Sequence, residues 1–281
     1  MINKFSRFLK LLKTLWKAGG IYKIQLTSVT FDNLLKGKVV LVTGGSAGIG
    51  YEIANTLIKH GASVIITGRH LDSLISAKKS INSSNLYYYT WDVNDIDDIE
   101  FHLDKVKNLV GLYPNCLINN AGLLGGHKKI FETTPDDWDK LMTTNLRSVF
   151  FLVQHISKFW INNGMTGKII NISSMRGSLG IVDGPYGCSK WSINGLTQGL
   201  GLYFASKGII VNAIAPGIIP TRSINIKNID IDENAYCNPV PCKRYGHSSE
   251  IANLALFLVS DQCNYIIGQT IVCDGGYSLK I

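Results

Sequence analysis

The sequence predicts one doubly wound α/β domain on a seven-stranded parallel sheet, preceded by an amphipathic helix. Three observations carry the prediction. From Lys38 onward, seven short apolar runs alternate with longer stretches of helical pattern. The connecting stretches are roughly 20 residues or more, long enough for the crossover helices that parallel strands require. The first apolar run ends in a glycine-rich turn that opens a helix.

The runs are 38–43 (KVVLVT), 63–67 (SVIIT), 86–90 (LYYYT), 115–118 (NCLI), 168–172 (KIINI), 209–214 (IIVNAI) and 269–273 (QTIVC). Near-continuous apolar strands belong to a sheet covered on both faces by helices. A chain of 281 residues, 46% hydrophobic and 17% charged, holds a sizeable core and lacks the composition of a disordered protein. No second domain, internal repeat or low-complexity segment is visible. No apolar run is long enough to span a bilayer. The six cysteines (Cys116, Cys188, Cys237, Cys242, Cys263, Cys273) lack metal-ligand spacing, so no metal is expected. With no secretory signal they read as reduced thiols of a cytoplasmic protein.

Basicity is confined to one end. Residues 1–36 carry seven Lys/Arg against the single acid Asp32, and the other 245 residues carry 21 basic against 19 acidic groups. A nucleic-acid partner is therefore not expected of residues 37–281. Within 2–17, Ile2, Phe5, Phe8, Leu9, Leu12, Leu15 and Trp16 share one helical face, and Arg7, Lys10, Lys13 and Lys17 share the other. Such a helix suits peripheral contact with a membrane surface or packing on its own oligomer. It is not expected to be a signal peptide, because lysines interrupt any continuous apolar core along the segment.

The first run leads into Thr43-Gly44-Gly45-Ser46-Ala47-Gly48-Ile49-Gly50 and a helix reaching about His60. Glycines let the chain turn sharply and approach a ligand with its backbone. A helix N-terminus offers free N–H groups and partial positive charge. Together, after the first strand of an alternating chain, they predict a dinucleotide pyrophosphate site. The second run ends at Thr67-Gly68-Arg69. NAD selection calls for a carboxylate there and NADP selection for a cation. Gly68 occupies the carboxylate position and Arg69 supplies a guanidinium suited to a phosphate. The bland reading of Arg69 is a solvated residue at a helix start.

The fifth run ends in Ser173-Ser174, and twelve residues past Ser174 comes Tyr186-Gly187-Cys188-Ser189-Lys190, opening a helix to about Ser206. Tyr186 and Lys190 share a face of that helix. A free tyrosine titrates near ~10, so acid–base work near neutrality needs a fall of about three units, ~4 kcal/mol. A neighbouring ammonium supplies part of it. Spacing alone is weak evidence, since Tyr203 and Lys207 share it. That second pair sits at the far end of the helix, away from the strand termini where open sheets bind ligands, and reads as solvated surface.

Residues 37–281 resemble the short-chain dehydrogenase/reductase (SDR) family. The motifs are Thr43-Gly44-x-x-x-Gly48-Ile49-Gly50, Asn119-Asn120-Ala121-Gly122, Asn145, Ser174, Tyr186-x-x-x-Lys190 and Pro216-Gly217. The resemblance implies a single Rossmann-type catalytic domain over 37–281, with 1–36 as an extension. It implies Tyr186 as general acid/base, Lys190 as its pKa-lowering partner and ribose ligand, Ser174 orienting the substrate oxygen, and Asn145 holding a water that links Lys190 to solvent. It implies a nicotinamide cofactor against Gly44, Ser46, Ala47, Gly48, Ile49 and Arg69. Asp92 and Val93 would flank its adenine, and Asn119, Ala121 and Gly122 would line its cleft. Pro216, Gly217, Ile219 and Thr221 would meet its nicotinamide. Asp92 could instead cap the next helix, Asn119-Asn120 serve only as turn residues, and Asn145 be a satisfied polar group inside a helix.

Two departures stand out. The family usually counts thirteen residues from serine to tyrosine, a spacing that Ser173 meets and Ser174 misses by one; Ser174 is preferred because Gly177 follows it by three. Ala47 stands where many NADP enzymes carry a cation. The expected function is NADP-preferring hydride transfer (NAD being the other cofactor) between nicotinamide and a carbonyl or secondary alcohol, on a sugar-like or 3-oxoacyl substrate. The expected assembly is a homodimer or homotetramer packed through helix 186–206. The rival is a non-catalytic cofactor-binding sensor or scaffold on the same fold. Substrate determinants are expected in 178–185 and 222–245.

Overall fold

The computed structural model describes residues 33–125, 130–180, 184–221 and 239–279. The amphipathic segment 2–17, residues 181–183 and the first part of the 222–245 stretch lie outside them. Strands β1 (Val39–Thr43), β2 (Ser63–Gly68), β3 (Leu86–Thr90), β4 (Cys116–Asn119), β5 (Gly167–Ile172), β6 (Ile209–Pro216) and β7 (Thr270–Cys273) form one sheet in the order β3-β2-β1-β4-β5-β6-β7. Every pairing is parallel. The seven predicted runs are these seven strands, with β6 extending two residues further, to Pro216.

The helices are α1 (Gly48–Lys59), α2 (Leu71–Ile81), α3 (Ile99–Val110), α4 (Pro135–Met142), α5 (Ser148–Asn162), α6 (Pro185–Phe204) and α7 (Ser248–Val259). Successive strand side chains point to opposite faces, and the core divides accordingly. Val40 and Val42 of β1 pack with Ile53 and Leu57 of α1 and with Ile251 and Leu258 of α7. Val39 and Leu41 pack on the other face with Leu103 of α3, Leu152 and Trp160 of α5 and Ile193 of α6. Apolar residues on both faces explain why the strand runs are nearly continuous.

Local chemistry sets several boundaries. Thr134 and Asp137 form a capping box ahead of α4, with Pro135 at its first position. Between α4 and α5 the chain makes a π-helical turn, Thr143–Arg147. The 3.6-residue periodicity gives no sign of it, because an inserted residue shifts phase without changing composition. No helix among the described residues is long and apolar enough to cross a membrane.

At the N-terminal edge of the sheet, Lys168 of β5 is only 6% exposed. Its ammonium donates to the carbonyls of Ser260 and, at 2.7 Å, Cys263, at the C-terminal end of α7, where a cation is favoured. Burial holds its pKa below the usual lysine range. Lys38 and Asp261 pair at 2.6 Å in the same cluster. Lys168→Met keeps the length of the chain but orphans two carbonyls, so unfolding stability is expected to fall by about 2 kcal/mol. Urea denaturation at pH 7 checks this. An unchanged midpoint would show that the carbonyls find other partners.

Candidate active site

Doubly wound sheets bind ligands where neighbouring connections diverge at the strand C-termini. Here that point lies between β1, whose chain turns toward β2, and β4, whose chain turns toward β5. Thr43 ends β1, and its Oγ1 accepts the backbone N–H groups of Asn120 and Ala121, both at 3.1 Å. The Asn120 amide donates back to the carbonyls of Thr43 (3.0 Å) and Gly44 (2.9 Å). The glycine turn is thus stapled to the loop after β4. Gly44 has φ +64°, and a Cβ there would stand 2.9 Å from Ala121 Cα. A Cβ at Gly50 would stand 2.3 Å from Asn120 Nδ2. Only glycine fits either place. No side chain caps the N-terminus of α1 at Ala47, so its N–H groups and partial charge face the cleft.

That cleft holds about 270 Å³ and is lined by Gly44, Ala47, Gly48 and Ile49 of the turn. Ala121 and Gly122 line it from the β4 loop, Ser174, Tyr186 and Lys190 from β5 and α6, and Pro216, Gly217, Ile219 and Thr221 from the end of β6. A second depression shares Gly44, Ala121 and Gly122 with it and runs between Ser46, Arg69, Asp92 and Val93. Trp91 and His70 also line this second part. Sequence reasoning missed them, although they flank residues it named. Asp92 is no helix cap: its Oδ1 accepts Asn94 N–H at 3.0 Å, closing a short turn.

Two named residues line neither space. Asn119 is 4% exposed, and its amide donates to Asn171 Oδ1 at 2.9 Å, which passes the link on to Thr197. It ties β4 to β5 and α6 behind the cleft. Asn145, 1% exposed, lies in the π-helical turn. Its carboxamide accepts Leu123 N–H at 2.7 Å, donates to Leu123 O at 2.9 Å and donates to Ser189 Oγ at 3.2 Å. Ser189 in turn donates to Tyr186 O at 2.7 Å. The side chain of Asn145 therefore anchors the β4 loop to the start of α6.

The two serines differ. Ser173 is 3% exposed, and its hydroxyl donates to Asn194 Oδ1 at 2.6 Å, with Lys190 O 3.2 Å away. Ser174 Oγ accepts one backbone bond, Arg176 N–H at 3.2 Å, as N-cap of a 3₁₀ turn over Met175–Gly177. A hydroxyl that accepts there keeps its proton to donate elsewhere.

Lys190 is 7% exposed. Its Nζ donates to Ile172 O at 2.9 Å and lies 5.7 Å from the centroid of the Tyr186 ring. Burial lowers its pKa from 10.5 to about 8, since the ammonium is costly away from water. The second pair behaves differently. Tyr203 is 63% exposed, and Lys207 Nζ rests 3.9 Å over its ring. Among the described residues, no group of three His, Cys, Asp or Glu side chains is placed to hold a metal.

A glycine turn under an uncapped helix end fits a pyrophosphate. The two joined depressions fit a dinucleotide lying from β2 to β6. Known proteins agree with this geometry. A family model described as enoyl-(acyl carrier protein) reductase matches residues 44–278. Gluconate 5-dehydrogenase of Gluconobacter oxydans is 33% identical over 253 residues, covering 88% of this chain and 97% of its own. The 3-oxoacyl-(acyl-carrier-protein) reductase of Thermotoga maritima is 33% identical over 249 residues, 86% of this chain and 98% of its own. The crystal structure of an actinorhodin polyketide ketoreductase variant with NADPH superposes with a TM-score of 0.78 at 31% identity, covering 86% of this chain and 97% of that one. The chain belongs to the short-chain dehydrogenase/reductase family, oxidoreductases that act on CH–OH and C=O groups.

Proposed function

We propose that this protein is an NADP-preferring reductase or dehydrogenase, interconverting a carbonyl and a secondary alcohol with Tyr186 as the proton donor and acceptor. The observation that carries this reading is the placing of Tyr186, Lys190 and Ser174 in the cleft that also holds the glycine turn and the open end of α1. A dinucleotide bound there supplies or takes up the hydride. Ser174 holds the substrate oxygen through its free proton. Tyr186 passes a proton to or from that oxygen. Lys190 keeps positive charge beside the phenol, which stabilises its ionised form. Asn145 supports the set from behind, through Leu123 and Ser189.

The NADP preference is supported by the end of β2. Gly68 presents no carboxylate, and a Cβ there would meet nothing nearer than Ser46 Oγ at 3.6 Å. Arg69 stands exposed at the same rim, where a guanidinium suits a 2′-phosphate. The relatives' substrates favour a keto sugar acid or a 3-oxoacyl thioester. Exposed Phe150, Ile161, Leu202 and Tyr203 on α5 and α6 support association of copies into a dimer or tetramer. We place the start of the catalytic domain a few residues before 37, because Leu35 is fully buried in its core and its N–H donates to His60 O at 2.8 Å.

NADPH oxidation followed against 5-ketogluconate, acetoacetyl-CoA and a steroid ketone tests the proposal. NADPH is expected to outperform NADH by about tenfold or more in kcat/KM, and Arg69→Ala should erase most of that preference, worth about 1.5–3 kcal/mol for a charge-assisted contact. Equal rates with NADH would overturn the role of Arg69. NADPH binding without turnover on any carbonyl would favour a sensor.

A further inference from the structure

On α6, Asn194 lies one helical turn beyond Lys190 and two beyond Tyr186, so all three stand in one row. Its amide bonds at both ends. Oδ1 accepts the Ser173 hydroxyl at 2.6 Å, and Nδ2 donates to Gly177 O at 2.9 Å. Ser178 Oγ lies 3.4 Å from the same Nδ2. Residue 173 immediately precedes Ser174, and residue 177 closes the 3₁₀ turn that Ser174 caps. The segment carrying Ser174 is thus gripped on both sides by one side chain of the tyrosine helix. The grip is close. A Cβ at Gly177 would stand 2.6 Å from Lys190 O and 2.9 Å from Asn194 Nδ2.

We propose that Asn194 is a positioning residue that sets the distance between the Ser174 hydroxyl and the Tyr186 phenol, with Ser173 as its partner rather than a substrate ligand. This rests on the reading of Ser174 and Tyr186 as the acting pair. The need for such a clamp follows from the chain itself. Ser174 leaves β5 and Tyr186 enters with α6, with twelve residues from one to the other, so their separation depends on how α6 lies on the end of β5. Lys190 Nζ binds Ile172 O, one residue before Ser173. Lys190 and Asn194 together therefore fix the run from 172 to 177 along the helix. A carbonyl oxygen held by two hydroxyls tolerates little slack, since a misplacement of about 1 Å costs on the order of a hundredfold in rate.

Asn194 carries no charge, which gives the test its signature. Asn194→Ala is expected to lower kcat roughly ten- to a hundred-fold, leave the dissociation constant of NADPH within about twofold, and leave the pH profile where it was, because no ionisable group changes. Ser173→Ala should do the same more mildly. In the double variant the losses should not add, since one bond joins the two residues. The assays follow NADPH oxidation with 5-ketogluconate and acetoacetyl-CoA, alongside NADPH titration and a thermal melt. Ser174→Ala is measured in the same series. If Ser174→Ala loses turnover while Asn194→Ala keeps it, the positioning role is wrong and the acting pair stands. If Ser174→Ala is silent, the reading beneath the proposal fails. Asn194→Ala losses that track NADPH affinity and melting temperature together, or strict additivity with Ser173→Ala, would mean general loosening and would also overturn the role.

Discussion

Tyr186→Phe is expected to reduce turnover by three to four orders of magnitude while leaving NADPH affinity unchanged. General acid–base catalysis by a positioned side chain is worth about 10² to 10⁴ in rate, and removal of the only hydroxyl on Tyr186 forfeits it. The phenyl ring would remain as packing beside Lys190, whose Nζ lies 5.7 Å from its centroid. The glycine turn, the end of α1 and the β6 loop do not depend on the phenol for their shape: they are held by Thr43, Asn120 and the β6–β7 pairing. Fluorescence titration of NADPH with stopped-flow oxidation separates the two quantities. Retention of more than a tenth of wild-type kcat would remove Tyr186 from the proton step.

Lys190→Met is expected to trade activity for stability, with a pH dependence of definite sign. In the folded protein burial lowers the lysine pKa from 10.5 to about 8. Below about pH 8 both folded and unfolded chains carry the proton, and the folded state bears the full cost of the buried charge, about 3 kcal/mol at ~1.4 kcal/mol per unit. Between about 8 and 10.5 the unfolded chain binds more protons than the folded one, so this group makes stability rise with pH. Above 10.5 the cost is gone. Methionine removes the charge but also the bond to Ile172 O, worth about 1 kcal/mol. The variant should therefore unfold at higher urea than wild type at pH 7, by roughly 2 kcal/mol, and lose that advantage by pH 10.5. Its turnover should fall at least a hundredfold, because the phenol loses the neighbouring positive charge. A stability difference that does not change with pH would refute the account. Sites that bear such a cost for function commonly gain stability when simplified.

Much of this was readable from the chain. Burial on both faces makes strand runs continuous, so all seven strands were visible. A glycine turn between strand and helix stands out among apolar runs, so the edge of the sheet that carries the cleft was visible too. What escaped were matters of partnership. Periodicity reports that a residue is buried and is silent on what it touches. Asn119 and Asn120 are neighbours in a motif, yet one bonds Asn171 of the adjoining strand behind the cleft and the other braces the turn. Asn145 could be placed on a helix, but the π-helical turn that aims it at Leu123 and Ser189 has no compositional mark. The two serines differ by one residue in spacing and both line the cleft; the Gly177 spacing favours Ser174, and the bond that occupies the Ser173 hydroxyl, to Asn194, is not legible in the chain. Trp91 and His70 sit beside Asp92 and Arg69, but a rank of apolar and polar letters gives no hint that they line the same depression.

Gly50 and Asn120 stand far apart in the chain, yet the amide of one fills the volume that the other leaves empty. Over evolutionary time neither position is free to drift by itself. A Cβ at 50 would also stand 2.6 Å from the carbonyl oxygen of Gly44, so a smaller residue at 120 does not by itself admit one, and it leaves the carbonyls of Thr43 and Gly44 in want of a donor. The two ought to be inherited as a single character. Anyone redrawing the glycine turn in the laboratory would have to rewrite both words of that phrase at once.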